Sequence, residues 1–394
     1  MLLVFLKLCS ISGAGYFIYL IAKEKLGKRI ATMLLVLFFM YTPNVLGVLC
    51  EFDMESLAPV FLAGLYYFYI KAHWKSFMIM AVILILIKEN LPLVVTVFGV
   101  HAFFTKVDKW KWGAAPLFLG VASFSLLTMV VIPSFVGHGL AAGHPYMANY
   151  RQLGRSLPEA IGCFATDPLK VFNIFATLDN GLWFFQMGFI FLFIPFLSLS
   201  TIFFISPIIL QHLLSSVWNE HTIYYSYTLT IAPFIFFALI FSLERMQIFR
   251  KKKVFFMLVF FLLNFVSWAK HIEIIDYCYR PYNAREWNEA RRELMAQVPR
   301  TVPVVASFQF LAPMANRAGL YGFHKVYAPE YNANGNVFRL PADVRYALVD
   351  ESDYCYVKAV EMDREAVRRR VRVFLKEGGW HLIAFQGPIR LFKR

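Results

Sequence analysis

The feature that most restricts this fold is the alternation of long apolar runs with short basic clusters. Residues 1–22 are apolar and end at Lys23, Lys25, Lys28 and Arg29, and a second run covers Ile30 to Leu49. Later runs near 57–70, 76–104, 114–133, 182–197, 200–214, 227–243 and 254–269 are set off by Lys71 and Lys75, by Lys106, Lys109 and Lys111, and by Arg245 with Arg250 to Lys253. About 20 apolar residues span the hydrocarbon of a bilayer, and basic clusters between such runs mark loops held on the cytoplasmic side. With 59% hydrophobic and only 16% charged residues, the chain lies outside the range of a soluble domain. It reads as a polytopic α-helical membrane protein in contact with membrane lipids. The formal charge of +14 is then a matter of topology, and no nucleic-acid partner is expected. Five scattered cysteines show no metal-ligand spacing.

Orientation by the basic clusters carries the second helix outward to Cys50-Glu51-Phe52-Asp53-Met54-Glu55-Ser56. Carboxylates on alternate residues beside a span are costly unless they face water, a cation or a substrate. The run 76–104 is broken by Lys88-Glu89-Asn90 and Pro92 and is basic on both flanks, which predicts two short helices joined by an outer or half-buried turn. Lys88 and Glu89 either bind substrate there or pair with one another. Outer loops are expected at 50–56, 134–180 and 215–226. The long one holds Tyr150, Arg151 and Arg155, and loops of that length are often functional. Its two guanidinium groups match a phosphate bidentately, or else anchor at lipid headgroups. His138, His144, His212 and His221 have no ligand spacing and read as interfacial or hydrogen-bonded. The same orientation starts the first helix on the outer face, which predicts a preceding helix upstream of Met1.

The membrane domain is expected to cover 1–270, with a small extracytoplasmic α/β domain at 271–394. Asn283 reads as an N-cap for a helix facing inward through Trp287, Ala290 and Leu294. Strands are predicted at 302–307 and 346–350, a short helix at 309–316 and an amphipathic helix over Asp363 to Lys376. A terminal hairpin is predicted at 381–385 and 389–392, turning at Gln386-Gly387-Pro388. No GxGxxG or GxxxxGK[ST] pattern supports nucleotide binding.

Several motifs resemble, in their order, one group of predicted bacterial membrane proteins whose domain has no known function. They are Phe52-Asp53-Met54-Glu55, Lys88-Glu89-Asn90, Tyr150 to Gly154, Ser206-Pro207 before Leu214-Ser215, Tyr225-Ser226 with Pro233, Val304-Val305-Ala306-Ser307, Leu311-Ala312-Pro313 and Arg317. The architecture of that group is similar to the C-type (GT-C) glycosyltransferases. The chain departs from the group at Asp53-Met54, Asn90, Tyr224 and Pro313-Met314-Ala315, where the group usually carries His-Pro, an acid, His and Pro-His-Leu. The first helix and first outer loop of a GT-C protein, the loop that normally carries the catalytic aspartate, are expected upstream of Met1.

The resemblance implies transfer of a sugar from a polyprenyl-phosphate donor on the outer face of a bacterial inner membrane, by an active enzyme or a truncated, degenerate relative. Asp53 and Glu55 are the expected catalytic carboxylates, and Lys88, Glu89, Tyr150, Arg151 and Arg155 the expected substrate ligands. Glu51, Asp53 and Glu55 suit a hard divalent metal such as Mg2+ or Mn2+, against the simpler reading of a helix cap. The rival is a non-catalytic transporter or lipid-binding scaffold whose outer domain binds a partner, although only one clearly broken segment and no internal repeat are visible.

Overall fold

The computed structural model describes residues 2–50, 52–136, 145–272, 285–317, 319–328, 338–353 and 363–394, and the chain divides into units Met1–Ile275 and Asp276–Arg394. In the first unit the apolar runs are helices that stop where the sequence frees φ or removes a donor. Helix α1 (Leu2–Leu26) turns at Gly27, whose φ of +90° suits glycine, into α2 (Lys28–Met40). Helix α3 (Thr42–Leu49) follows at a 43° bend, with Pro43 in its first turn. Asn264, far along the chain, satisfies the groups freed at this bend. Its Oδ1 accepts from the Thr42 N–H at 3.1 Å, and its Nδ2 donates to the Met40 carbonyl at 2.8 Å.

A 3-10 turn, Met54–Leu57, leads into α4 (Ala58–Ile70), α5 (Trp74–Ile87) and α6 (Leu91–Thr105). The helical run Trp110–Phe135 contains α7 (Ala115–Leu126) and leads into α8 (Ile132–Val136). Residues 145–180, expected as loop, hold α9 (Leu157–Thr166) and α10 (Pro168–Phe175), because Ser156 and Asp167 cap amphipathic stretches. Helix α11 (Leu178–Gly188) ends earlier than the expected 182–197 run. There the chain reverses through left-handed Leu192 and Phe193, at φ of 52° and 58°. Helices α12 (Leu199–Ile202), α13 (Ser206–Leu214), α14 (Ala232–Arg245), α15 (Gln247–Lys251) and α16 (Lys253–Lys270) complete the unit.

Among the described residues, four helical runs are long and apolar enough to cross a membrane: α1, Trp110–Phe135, Ser226–Arg245 and α16; α2 with α3 makes a fifth if counted as one span. Helix α14 is apolar on every face and buried on every face, from Phe234 through Ile240, so it is the centre of the bundle. By contrast, Phe104, Phe118 and Phe265 stand exposed, as side chains toward lipid do.

Helix α1 has two chemically different ends. Near its start Lys7, buried in the bundle, donates to the Cys50 carbonyl at 3.0 Å. At its finish Glu24 pairs with Lys71, and Lys25 pairs with Glu244 at 3.2 Å. Lys253 reaches the Leu26 carbonyl at 3.5 Å. The turns carrying Lys23–Arg29, Lys71 and Arg245–Lys253 therefore share one end of the bundle. Cys50 and the Met54–Leu57 turn lie at the other, about 25 Å away at 1.5 Å per helical residue.

The second unit has a five-stranded sheet, β1 (Val304–Ala306), β2 (Leu320–Gly322), β3 (Tyr346–Asp350), β4 (His381–Gln386) and β5 (Ile389–Lys393), in the order β2-β1-β3-β5-β4. Strand β1 runs parallel to β2 and β3, while β5 is antiparallel to β3 and β4. Ala290 and Leu294 of helix Arg285–Ala296 pack on one face of the sheet, and Val367 with Phe374 of helix Arg364–Glu377 on the other. The expected helix at 309–316 is confined to Phe308–Leu311, ahead of Pro313, and β2 was not foreseen because three residues give no readable alternation. The Asn283 cap lies outside the described residues.

Candidate functional site

Asp53 starts the 3-10 turn because its Oδ1 accepts from the Ser56 N–H at 3.0 Å, which satisfies a donor that the turn leaves free. Its Oδ2 accepts the Ser226 hydroxyl. Two residues on, Glu55 faces inward at 2% exposure, and Lys88 donates to its carboxylate. Lys88 leaves α5 in an extended conformation, and its ammonium stands 5.5 Å from the Tyr227 ring centroid.

An extended residue sends neighbouring side chains to opposite sides, so Lys88 turns to Glu55 and not to the adjacent Glu89. The Lys88–Glu89 pair weighed from sequence is thus replaced by an ion pair between segments. Glu89 stays within electrostatic reach, and Glu55, Glu89 and Asp53 together surround the Lys88 ammonium with negative charge.

A second layer comes from residues 149–150 and 211–220. Asn90, at the start of α6, donates to Gln211 Oε1 at 2.6 Å, and Gln211 is hydrogen-bonded to Tyr150. Asn149 donates to Glu220 Oε1 at 3.4 Å and accepts from the Ser216 N–H at 2.7 Å. His212 Nδ1 lies 3.8 Å from Glu220 Oε2. Burial pushes the Glu220 carboxyl up to about 7, with Lys88 opposing the rise and Glu55 adding to it. Burial, then Glu220, holds the Tyr150 phenol well above its ordinary range, so it remains a neutral donor.

By strict hydrogen-bond geometry Asn90 Oδ1 has no partner among the described residues, while the Glu220 carboxylate lies near the Ser215 hydroxyl and the His212 ring near the Glu220 backbone. Buried polar atoms are nearly always paired, and most of this layer follows that rule.

The arrangement brings together five of the residues singled out from sequence: Asp53, Glu55, Lys88, Glu89 and Tyr150. Arg151 and Arg155 are exposed, and among the described residues neither pairs with the cluster. Glu51 lies outside the described residues. Asp53 is held by Ser56 and Ser226 and Glu55 by Lys88, and no three described His, Cys, Asp or Glu side chains form a metal-binding group. His221 bonds Asn180 at 2.7 Å and the Ser215 carbonyl at 2.8 Å, a structural role.

Sequence reasoning missed Gln211, His212, Glu220, Asn149 and Ser226 as members of the site. The readable signal was Gln211-His212 inside an apolar helix, since polar pairs there need partners. Lys7, a lone cation in the first apolar run, gave a similar signal.

Apolar helices around an enclosed, charge-bearing cluster define the class, an integral membrane protein with a buried polar site at one end of its bundle. More particularly, the chain belongs to the family described as "Predicted membrane protein (DUF2079)", whose model matches residues 2–384. The function of that family is unknown. No curated protein matches the chain.

Proposed function

We propose that this protein is a glycosyltransferase of GT-C-like architecture that moves a sugar from a polyprenyl-phosphate donor to an acceptor hydroxyl, with the acid-lined end of the bundle outside the cytoplasm of a bacterial cell. The observation that carries the reading is the buried cluster, where the Lys88–Glu55 pair adjoins Asp53 and the polar side chains Asn90, Tyr150, His212 and Glu220. In this reaction the acceptor oxygen forms a bond to the anomeric carbon while its proton passes to the Asp53 carboxylate. The bond between the anomeric carbon and the phosphate oxygen breaks, and its electron pair leaves with the polyprenyl phosphate. Lys88, positioned by Glu55, offsets the charge on that phosphate, and Arg151 with Arg155 attracts the donor from the surface. Glu220, His212 and Tyr150 orient sugar hydroxyls.

The test is release of polyprenyl phosphate from a panel of polyprenyl-phosphate sugars by the purified protein, followed by mass spectrometry. Wild type is expected to consume at least one donor, and Asp53→Asn to be slower by about 100-fold or more. Full turnover by Asp53→Asn removes the cluster from the chemistry. A second reading, a lipid-binding scaffold or transporter without catalysis, is favoured by one observation: Glu55 and Lys88 already neutralise each other. Consumption of no donor supports it.

A further inference from the structure

At the opposite end of the bundle an open groove of about 580 Å³ runs between α2 and α16, lined by Lys28, Arg29, Thr32, Met33, Val36 and Phe261. Residues 28, 32 and 36, and 29 with 33, recur at helical spacing, so one outer face of α2 carries charge at its start and methyl, thioether and isopropyl groups beyond. The eight helical steps from Lys28 to Val36 extend about 12 Å along the helix, roughly the distance from the headgroup level into the hydrocarbon.

The two cations of the groove are available. Lys25 and Lys71, at the same end, are paired with Glu244 and Glu24, whereas Lys28 and Arg29 have no carboxylate partner among the described residues. The Lys252–Lys253 turn adds positive charge close by, because Lys253 reaches the Leu26 carbonyl beside α2. The groove is therefore amphiphilic in one direction, basic at the mouth and apolar along its length.

We propose that this groove is a binding site for one anionic phospholipid of the surrounding bilayer. Its phosphate sits at Lys28 and Arg29, and an acyl chain lies along Met33, Val36 and Phe261. The inference is independent of the transferase reading, since the groove lies at the other end of the bundle from Asp53.

Native mass spectrometry of the full chain in micelles, with phosphatidylglycerol and phosphatidylcholine of the same acyl chains, tests it. Wild type is expected to retain phosphatidylglycerol at least about tenfold more strongly, as two cations at a headgroup predict. Lys28→Ala/Arg29→Ala should lose that preference, and Val36→Trp should weaken retention of both lipids. Lys75→Ala/Lys109→Ala, which removes two cations elsewhere, should leave the preference as in wild type. All three variants change exposed positions, and an unchanged melting temperature verifies their folding. Equal retention of the two lipids by wild type overturns the proposal. So does a preference that survives Lys28→Ala/Arg29→Ala, falls equally in the Lys75/Lys109 control, or disappears when inorganic phosphate is added at the lipid concentration.

Discussion

Lys88 and Glu55 show what a charge in an apolar run is for. Removing one partner of a buried ion pair strands the other, at a cost of about 3–5 kcal/mol. Glu55→Gln and Lys88→Met should each lose stability on that scale, and the double variant should lose much less than the sum, as read from denaturant unfolding in micelles. Strict additivity would show that neither charge depends on the other. Glu220 gives a pH signature. Its folded-state value of about 7 is above the ordinary 4.5, so its contribution to stability is fully present below pH 4.5 and is lost as the pH rises through 7. Melting temperatures from pH 4 to 8 should show this decline in wild type and a flatter profile in Glu220→Gln. Asp53, Glu55 and Lys88 were legible because each is a charge in apolar surroundings. Glu220 was not, because its burial comes from packing in the folded chain, where Asn149, 71 residues earlier, meets it.

The helices illustrate a second kind of dependence. Helices α6 and α7 approach so closely that a Cβ on Gly99 would lie 2.5 Å from the Leu117 backbone nitrogen and 2.7 Å from the Gly113 carbonyl oxygen. Small residues permit such contact where lipid supplies no hydrophobic drive between helices. Gly99→Val is therefore expected to lower the melting temperature sharply, whereas Gly162→Ala, with open space around it, should leave it near wild type. The break at Lys88 to Pro92 could be read directly, whereas Ile30 to Leu49, expected as one run, is bent by 43° before Pro43. The reversal after Gly188 could not be read, because the left-handed positions fall on Leu192 and Phe193. A bulky residue adopts that conformation only when packing over-determines it.

Across the membrane unit, the basic turns gather at one end of α1 and the acid cluster at the other. If those ends face opposite compartments, thiol labelling will separate them. With the five cysteines replaced by serine, Met54→Cys and Lys109→Cys, both at exposed positions, should react with a membrane-impermeant reagent from opposite sides of sealed vesicles. Labelling of both from one side would dissolve the division between a cationic and an acidic end.

What the sequence determined by itself is the material of each helix: where apolar runs start, where Gly and Pro stop them, and which charges are stranded among them. These are local properties of backbone and side chain. Only the tertiary structure decided that Lys88 belongs to Glu55, that Asn264 repairs the bend at Tyr41, and that His212 and Glu220 stand together in the interior. Pairings of that kind depend on which helix faces pack against each other, and burial then fixes the energy of every charge they enclose.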